Sequence, residues 1–373
     1  MKLREYQAKD VFRRYGLSVP PGEIADTPEA AAAAAARIGT PVVLKPQLGV
    51  KGRGKAGGIL FAEQPADAQE AAAKLLDAEI RGERVRRLLV EAKENITEEM
   101  YAAVTIDPAA KRPVVVASRA GGVDIEEVAR ATPERVLKRP VSILDGPSGE
   151  DLAAVAATLG SDGAEAIATL YRIFAECDAE TVEVNPLVRT GSGALVAVDA
   201  VLNVDDDALF RHQDLVAYRQ EIPVEDPIAE QAREHAWTYI DLDGDIAILS
   251  SGAGLTMAIL DLMQRAGGRP ANFLDTAQID DEGIYEAFDL LSRAGRPRAI
   301  LVNIFAGLNR CDRLAEGITK YVRERPPGVP VVVRMIGNRE QEGYRILRQA
   351  GIEPVAEIED AIRLAVQAAG GAS

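Results

Sequence analysis

Glu183-Val184-Asn185-Pro186-Leu187 and Asp199 are the residues whose types and spacing point most directly to chemistry. Side chains alternate along a strand, so Glu183 and Asn185 share one face. Asp199 lies on a returning strand, Ala194 to Asp199, after the turn Arg189-Thr190-Gly191-Ser192-Gly193. Pairing Asn185 with Asp199 brings all three polar groups together. A one-residue slip would send Asp199 to the other face. Magnesium takes hard oxygen ligands, often one or two protein carboxylates completed by substrate phosphates. Asn185 and Asp199 match that donor set, and Glu183 could orient the site or a bound water. The alternative is polar residues on an exposed sheet face. Val182, Val184, Leu195, Val196 and Val198 argue for a covered sheet, where polar groups need partners.

A second constellation is Gly49-Val50-Lys51-Gly52-Arg53-Gly54-Lys55-Ala56. A P-loop needs Ser or Thr after its lysine and a helix after the loop. Here Ala56 follows, and the chain returns as a strand. The pattern therefore predicts a hairpin whose glycines bring backbone N–H groups close to phosphate oxygens. Gly52, Arg53 and Gly54 form its tip, and Lys45 on the preceding strand reaches the same place. The alternative is a solvated basic loop, an uneven fit to an acidic chain. Glu91, Glu94 and Glu99 follow an apolar strand at Leu88-Leu89-Val90 and could hold a ribose hydroxyl or a base amino group. A solvated acidic turn fits that spacing equally well.

The second half carries weaker signals. Ser251-Gly252-Ala253-Gly254 is half of a dinucleotide fingerprint, with Met257 in place of the third glycine. A tight turn alone explains it. Asn303 to Asp312 runs from a strand end into a helix start, where open parallel sheets bind ligands and helix N-termini attract anions. Asn272, before Phe273-Leu274-Asp275, is another polar residue of this kind. Local capping by Asn and Asp is the competing account of each.

The elements that position these groups follow from periodicity and punctuation. Tyr6 to Tyr15 has helical spacing and stops at Gly16. Thr27-Pro28-Glu29 is an N-cap, a proline at the first helical position and an acidic first turn, followed by Ala30 to Ala36. Strands are expected at 41–45, 59–61 and 88–90, a helix over 66–80, two strands within 101–118, and mostly helix over 150–177. Hairpins mixed with helices give the first half an α+β character. After about residue 225 the rhythm changes to strand-then-helix units, with apolar strands at 245–250, 299–305 and 329–334. That rhythm predicts a parallel sheet covered on both faces. The boundary falls in the polar stretch 220–230, giving domains of 1–228 and 229–373.

Composition narrows the function class. In 373 residues there are 43 Lys and Arg against 58 Asp and Glu, a net charge of -15. So acidic a chain fits neither nucleic acid nor an anionic membrane surface. No apolar run reaches the roughly 18 residues of a membrane helix, and the N-terminus is too polar for a secretory signal. Two distant cysteines, Cys177 and Cys311, exclude a disulfide scaffold and suit a cytoplasmic protein. With only His212 and His235 present, histidine-dependent chemistry within the chain is not expected.

With these residues in place, the chain resembles the beta subunit of the succinyl-CoA synthetase family, which includes malate-CoA ligase. The likeness runs nearly full length, through Glu5 to Lys9, Lys51 to Gly58, Gly121 to Val128, Glu183 to Leu187, Ala208 to Arg211, Gly252 to Met257, Ala271 to Asp275 and Asn303 to Asp312. It implies an α/β fold: an N-terminal ATP-grasp domain of two α+β lobes, then a flavodoxin-like CoA-ligase domain. It implies ATP contacts at Lys45, Gly52, Arg53, Gly54, Glu91, Glu94 and Glu99, and magnesium at Asn185 and Asp199. It implies carboxylate-substrate contacts at Asn272, Gly307, Leu308 and Asn309. In that family the phosphorylated histidine and most of the CoA site belong to a separate alpha subunit, in an αβ or α2β2 assembly. The implied reaction runs from ATP to that histidine, then to the carboxylate, and ends with CoA thiol attack on the acyl phosphate.

Three positions depart from the family pattern. Thr276-Ala277-Gln278-Ile279-Asp280 replaces Val-Gly-Gly-Gly-Ala, Val201 stands where lysine is common, and Asn309 replaces an apolar residue of many succinate enzymes. Ala306 to Arg310 looks more like the malate-CoA ligase version. An amide at 309 could bond a hydroxyl on a substituted dicarboxylate. Two other functions are compatible with the residues: a ligase passing an acyl phosphate to a non-CoA acceptor, and a non-catalytic binding subunit. The first predicts ADP release without a histidine-bearing partner, the second no turnover at all.

Overall fold

Helix α1 (Glu5–Arg14) buries Ala8, Val11 and Phe12, the apolar stripe that its spacing predicts. The computed structural model of the chain describes residues 1–49, 57–219, 226–277, 279–294 and 297–370. Gly52, Arg53 and Gly54, expected from the sequence at the tip of a hairpin, lie outside the described residues. The chain divides into two units, Met1–Pro223 and Val224–Ser373.

In the first unit, β1 (Gly22–Ala25) leads to α2 (Pro28–Ile38), capped by Thr27, whose hydroxyl accepts from the Ala30 N–H at 3.1 Å. Then come β2 (Val42–Pro46), β3 (Leu60–Ala62) and α3 (Pro65–Leu75). The helix expected over 66–80 stops early. Asp77 takes a left-handed φ of 64° and its N–H donates to Val85, so the chain turns into a small hairpin, β4 (Glu79–Ile80) and β5 (Glu83–Arg84). Strand β6 (Leu88–Ala92) completes an antiparallel sheet in the order β1-β6-β2-β3. Alternation divides its faces. Val42, Leu44, Leu88 and Val90 pack against the alanine faces of α2 and α3. The intervening Val43, Lys45 and Glu91 line a cleft instead.

A second sheet follows, from β7 (Ile96–Asp107) and β8 (Arg112–Ser118) through α4 (Ile125–Ala131) and β9 (Val136–Pro140). Helices α5 (Gly149–Leu159) and α6 (Ser161–Glu176) divide the predicted 150–177 helix at Gly160 (φ 91°). Strands β10 (Ala179–Thr190), β11 (Leu195–Ala197) and β12 (Val201–Val204) precede α7 (Gln213–Arg219). The order is β11-β10-β7-β8-β9, with β12 also on β10. One face, with Met100, Ala102, Val182 and Val184, packs on residues of α1, α5 and α6. The other, with Tyr101 and Ala103, packs under α4.

The second unit begins with α8 (Pro227–Glu234) and β13 (Thr238–Asp241). It continues with β14 (Ile246–Ser250), α9 (Ala253–Arg265), β15 (Asn272–Asp275), α10 (Asp281–Arg293) and β16 (Ala299–Ala306). It ends with α11 (Cys311–Glu324), β17 (Val331–Gly337), α12 (Glu340–Gln349) and α13 (Ile358–Ala368). The sheet order is β13-β15-β14-β16-β17. Strands β15, β14, β16 and β17 run parallel as expected. The edge strand β13 is antiparallel to β15, a departure that sequence rhythm did not show. Along β16, Ile300, Val302 and Ile304 enter one core while Ala299 and Leu301 enter the other, so both faces are covered.

Candidate active site

The cleft of the first unit has a volume of about 1130 Å³ and is lined by both sheets. Its floor carries an interrupted ladder. Leu187 pairs with Ala197 on β11, and Glu183 pairs with Val201 on β12. Both pairings have one register, which places Asn185 opposite Asp199 in the interruption between them. On its other side β10 also slips, from Val184 opposite Ala102 to Leu187 opposite Met100. The Asn185–Pro186 bond in that stretch is cis. A proline has no N–H for the ladder. The double interruption opens the sheet where Glu183, Asn185 and Asp199 line the cleft.

Asn185 is held on both sides of its amide. Its oxygen accepts from the Gly122 N–H at 2.8 Å, and its nitrogen donates to the Val123 carbonyl at 2.9 Å. The Gly121-Gly122 pair permits this approach. A Cβ on Gly121 would lie 2.3 Å from the Met100 backbone, and Gly122 has a φ of 68°. Asp199 accepts from the Ala200 N–H at 2.9 Å. A carboxylate and an amide oxygen suit a hard cation completed by phosphate oxygens. Among the described residues there is no group of three or more His, Cys, Asp or Glu placed to enclose a metal by themselves. The cross-strand neighbour of Glu183 is the apolar Val201, one of the three departures noted above.

The interruption also frees the Val198 carbonyl, which accepts from both Lys9 and Lys45. These lysines belong to a buried network. The Lys9 ammonium meets the Glu91 oxygens at 2.6 and 2.8 Å and Glu5 at 2.8 Å. Lys45 meets Glu5 at 3.0 Å and Glu91 at 2.6 Å. Burial alone would lower the Lys45 pKa; Glu5, Glu91 and Asp199 outweigh it and hold the ammonium above the usual lysine range. Lys45 is thus a fixed cation beside the hairpin carboxylates. Glu91, in the cleft wall, is 1% exposed with both oxygens on lysines, so its carboxylate is engaged by Lys9 and Lys45. Glu94 lines the cleft. Glu99 is exposed and does not; its carboxylate lies against Gly122.

In the sequence Glu5 and Lys9 stand out only as parts of a shared motif. The available signal was chemical: two opposite charges four residues apart on a helix that also presents a buried apolar stripe. Their partner strands were not readable from that helix.

In the second unit, the loops after β14, β15 and β16 meet where the strand order reverses, the place such sheets bind ligands. A shallow pocket of about 290 Å³ there is lined by Ser251, Gly252, Ala277, Phe305, Gly307, Leu308 and Asn309. Asn309 donates its amide N–H to the Ile279 carbonyl at 2.7 Å, so its side-chain oxygen is the atom available as an acceptor. Asp275 accepts from the Gly252 and Ala277 N–H groups at 2.7 and 2.8 Å. Ala277 holds a left-handed φ of 49°, a conformation that favours glycine. Ile279 is buried in the core, and Asp280 caps α10 through the Gly283 N–H at 2.7 Å. That carboxylate occupies the helix start, where an incoming anion would otherwise be attracted.

Asn272 is not brought to this pocket. It is 1% exposed, accepts from the Ile248 N–H at 3.0 Å and donates to the Ile248 carbonyl at 2.8 Å. Strands β14 and β15 share a single backbone pairing, Ser250 with Asp275, and the Asn272 amide bridges the gap below it. The expected substrate contact is, in this structure, a backbone mimic within the sheet.

Two protein families match the chain. Residues 2–189 match the ATP-grasp domain family and residues 249–368 the CoA-ligase family. The succinate–CoA ligase [ADP-forming] subunit beta of Rubrobacter xylanophilus is 41% identical, covering 99% of each chain. The succinate–CoA ligase [GDP-forming] subunit beta of Thermus thermophilus is 39% identical over 100% of both. A solved structure of ATP citrate lyase from Methanothrix soehngenii, in complex with citrate and coenzyme A, superposes with a TM-score of 0.76. It is 20% identical and covers 98% of this chain and 99% of that one, a likeness of fold. With an ATP-grasp domain, a CoA-ligase domain and full-length relatives of one kind, the chain belongs to the family of succinate–CoA ligase beta subunits.

Proposed function

We propose that this chain is the nucleotide-binding subunit of an ADP-forming carboxylate–CoA ligase, with residues 1–228 as its ATP-grasp domain and 229–373 as its CoA-ligase domain. The observation that carries the reading is the convergence of Lys45, Glu183, Asn185 and Asp199 on one large cleft. Lys45 is the fixed cation for the ATP phosphates, and Gly52, Arg53 and Gly54 supply backbone and guanidinium donors over them. Glu94 faces the ribose or base. Glu91 acts by holding Lys45. Glu99, against the Gly122 turn, is assigned to the rim. Asn185 and Asp199 would hold Mg2+, which when bound neutralises phosphate charge. Glu183 orients the group that accepts the phosphoryl.

That acceptor is a histidine on a separate alpha subunit, which also supplies most of the CoA site. This chain offers only His212 and His235. His212 is bonded to Asp178, and His235 stacks on Trp237. The acid binds near Gly307, Leu308 and Asn309, with Asn272 supporting that region through the sheet. A small dicarboxylate such as succinate or malate fits, and the acceptor oxygen of Asn309 favours a hydroxyl-bearing one. We place the protein in the cytoplasm. No helix among the described residues is long and apolar enough to cross a membrane, and both cysteines are free.

The test is ADP release by the chain with and without a co-expressed alpha subunit, using CoA and a panel of succinate, malate and related acids. Release that requires partner, CoA and acid together is expected. Release without the partner would overturn the histidine step, and no release from any acid would overturn the ligase reading.

A further inference from the structure

Tyr101 on β7 is 6% exposed and borders the cleft. Its face is fixed by register. Ala103 pairs with Glu183, and Tyr101 is two residues from Ala103, so all three share the cleft face. Tyr101 itself stands opposite the slipped stretch of β10 that carries Asn185. Its ring packs with Ala103, Val114 and Val116 under α4. The hydroxyl has no hydrogen-bond partner among the described residues.

Packing accounts for the ring and leaves the hydroxyl unexplained. Phenylalanine would fill the same space; the O–H group adds a polar atom that is not sealed in the core but open to the cleft. A polar atom at the edge of a cleft is completed by what the cleft binds. Burial, then the charges of Glu183 and Glu126, hold the phenol above its usual pKa, so it remains a donor. A neutral donor beside Glu183 complements an acceptor-rich group. Asn185, in the stretch of β10 facing Tyr101, and Asp199, opposite Asn185 by register, are the hard oxygen donors of the same cleft.

We propose that the Tyr101 hydroxyl donates a hydrogen bond to an oxygen of the terminal phosphoryl group bound beside Asn185 and Asp199. The assignment rests on the ATP reading given above and adds a residue to it. No bond is made or broken by the phenol; it orients and stabilises the group in transfer.

The experiment compares wild type and Tyr101→Phe in the co-expressed complex. Single-turnover transfer of label from γ-labelled ATP to the partner is timed, ATP and ADP affinities are measured by calorimetry, and thermal melting is recorded. One hydrogen bond to a charged group corresponds to a loss of roughly 10- to 100-fold in transfer rate or ATP affinity. ADP affinity and melting temperature are expected to be unchanged, because ADP lacks the terminal group and the ring is kept. Wild-type transfer together with wild-type ATP affinity in the variant overturns the proposal, as does an equal loss of ADP and ATP affinity. Should the variant melt lower, ADP affinity in the folded fraction still separates the two roles. A wild-type complex that binds neither nucleotide overturns the ATP reading itself, an outcome distinct from an active and insensitive Tyr101→Phe.

Discussion

Asn185 and Asp199 face each other across a gap in a β-ladder that is paired on both sides, by Leu187 with Ala197 and by Glu183 with Val201. The gap turns two strand residues into a pair of oxygen donors on a cleft. Replacing Asp199 with Asn removes the negative charge and little volume. Partner-dependent ADP release is expected to fall by roughly 100-fold or more. The loss should ease as magnesium is raised, and melting should change little. Rates titrated against magnesium check this; an unchanged rate would remove Asp199 from the site.

Lys9 neutralises Glu5 and Glu91 in a network no more than about a tenth exposed. Changing Lys9 to Met takes one of the two lysines from a pair of buried carboxylates. Breaking a buried pair in this way costs about 3–5 kcal/mol. A urea melt of the chain should show that loss, and nucleotide affinity should drop with it as Lys45 moves.

Asn272 bridges β14 and β15 through both Ile248 backbone groups. Asn272→Leu leaves a buried N–H and C=O unpaired, a destabilisation of about 2–4 kcal/mol. In the fraction that folds, the KM for the acid is expected to hold. A large rise in KM with an unchanged melt would return Asn272 to the substrate site.

Asn309 lines the pocket of the second unit, and its bond to Ile279 uses the amide nitrogen and not the oxygen. Asn309→Leu removes that acceptor. The kcat/KM preference for a hydroxy-dicarboxylate over its unsubstituted counterpart should fall roughly 10- to 100-fold. An unaltered ratio would place the hydroxyl elsewhere.

Asp178 gives the chain a measurable acid response. Arg211, with His212, holds its carboxyl down to about 2 against burial, from an ordinary 3.8. The unfolded chain then binds the proton more readily, so stability contributed by Asp178 is complete above about pH 4 and is lost as pH falls through 2. The pair is solvent-accessible, which limits the effect to about 1 kcal/mol or less. The stability gap between wild type and Asp178→Asn should therefore close between pH 5 and pH 2 in denaturant titrations at low salt.

What the sequence determined by itself was local. Thr27-Pro28 starts a helix because a hydroxyl and a fixed φ act within one turn. The apolar strands of the second half show a parallel sheet because both of their faces are covered. The Glu183–Asn185–Asp199 hairpin was legible because side-chain alternation is fixed and only one register brings the three together; the structure adopts that register. The tertiary structure decided what depends on distant partners. Glu91 reads as a loop carboxylate until Lys9, 82 positions away, closes on it. Asn272 reads as a strand-end ligand until β14 and β15 diverge and its amide fills the gap. The edge strand β13 has no sequence mark of its antiparallel course, because strand direction is set by which neighbour it meets. Tyr101 is one aromatic residue among nine tyrosines in the sequence. Only the fold leaves its hydroxyl unpaired at the cleft, since burial and hydrogen bonding are properties of the packed chain.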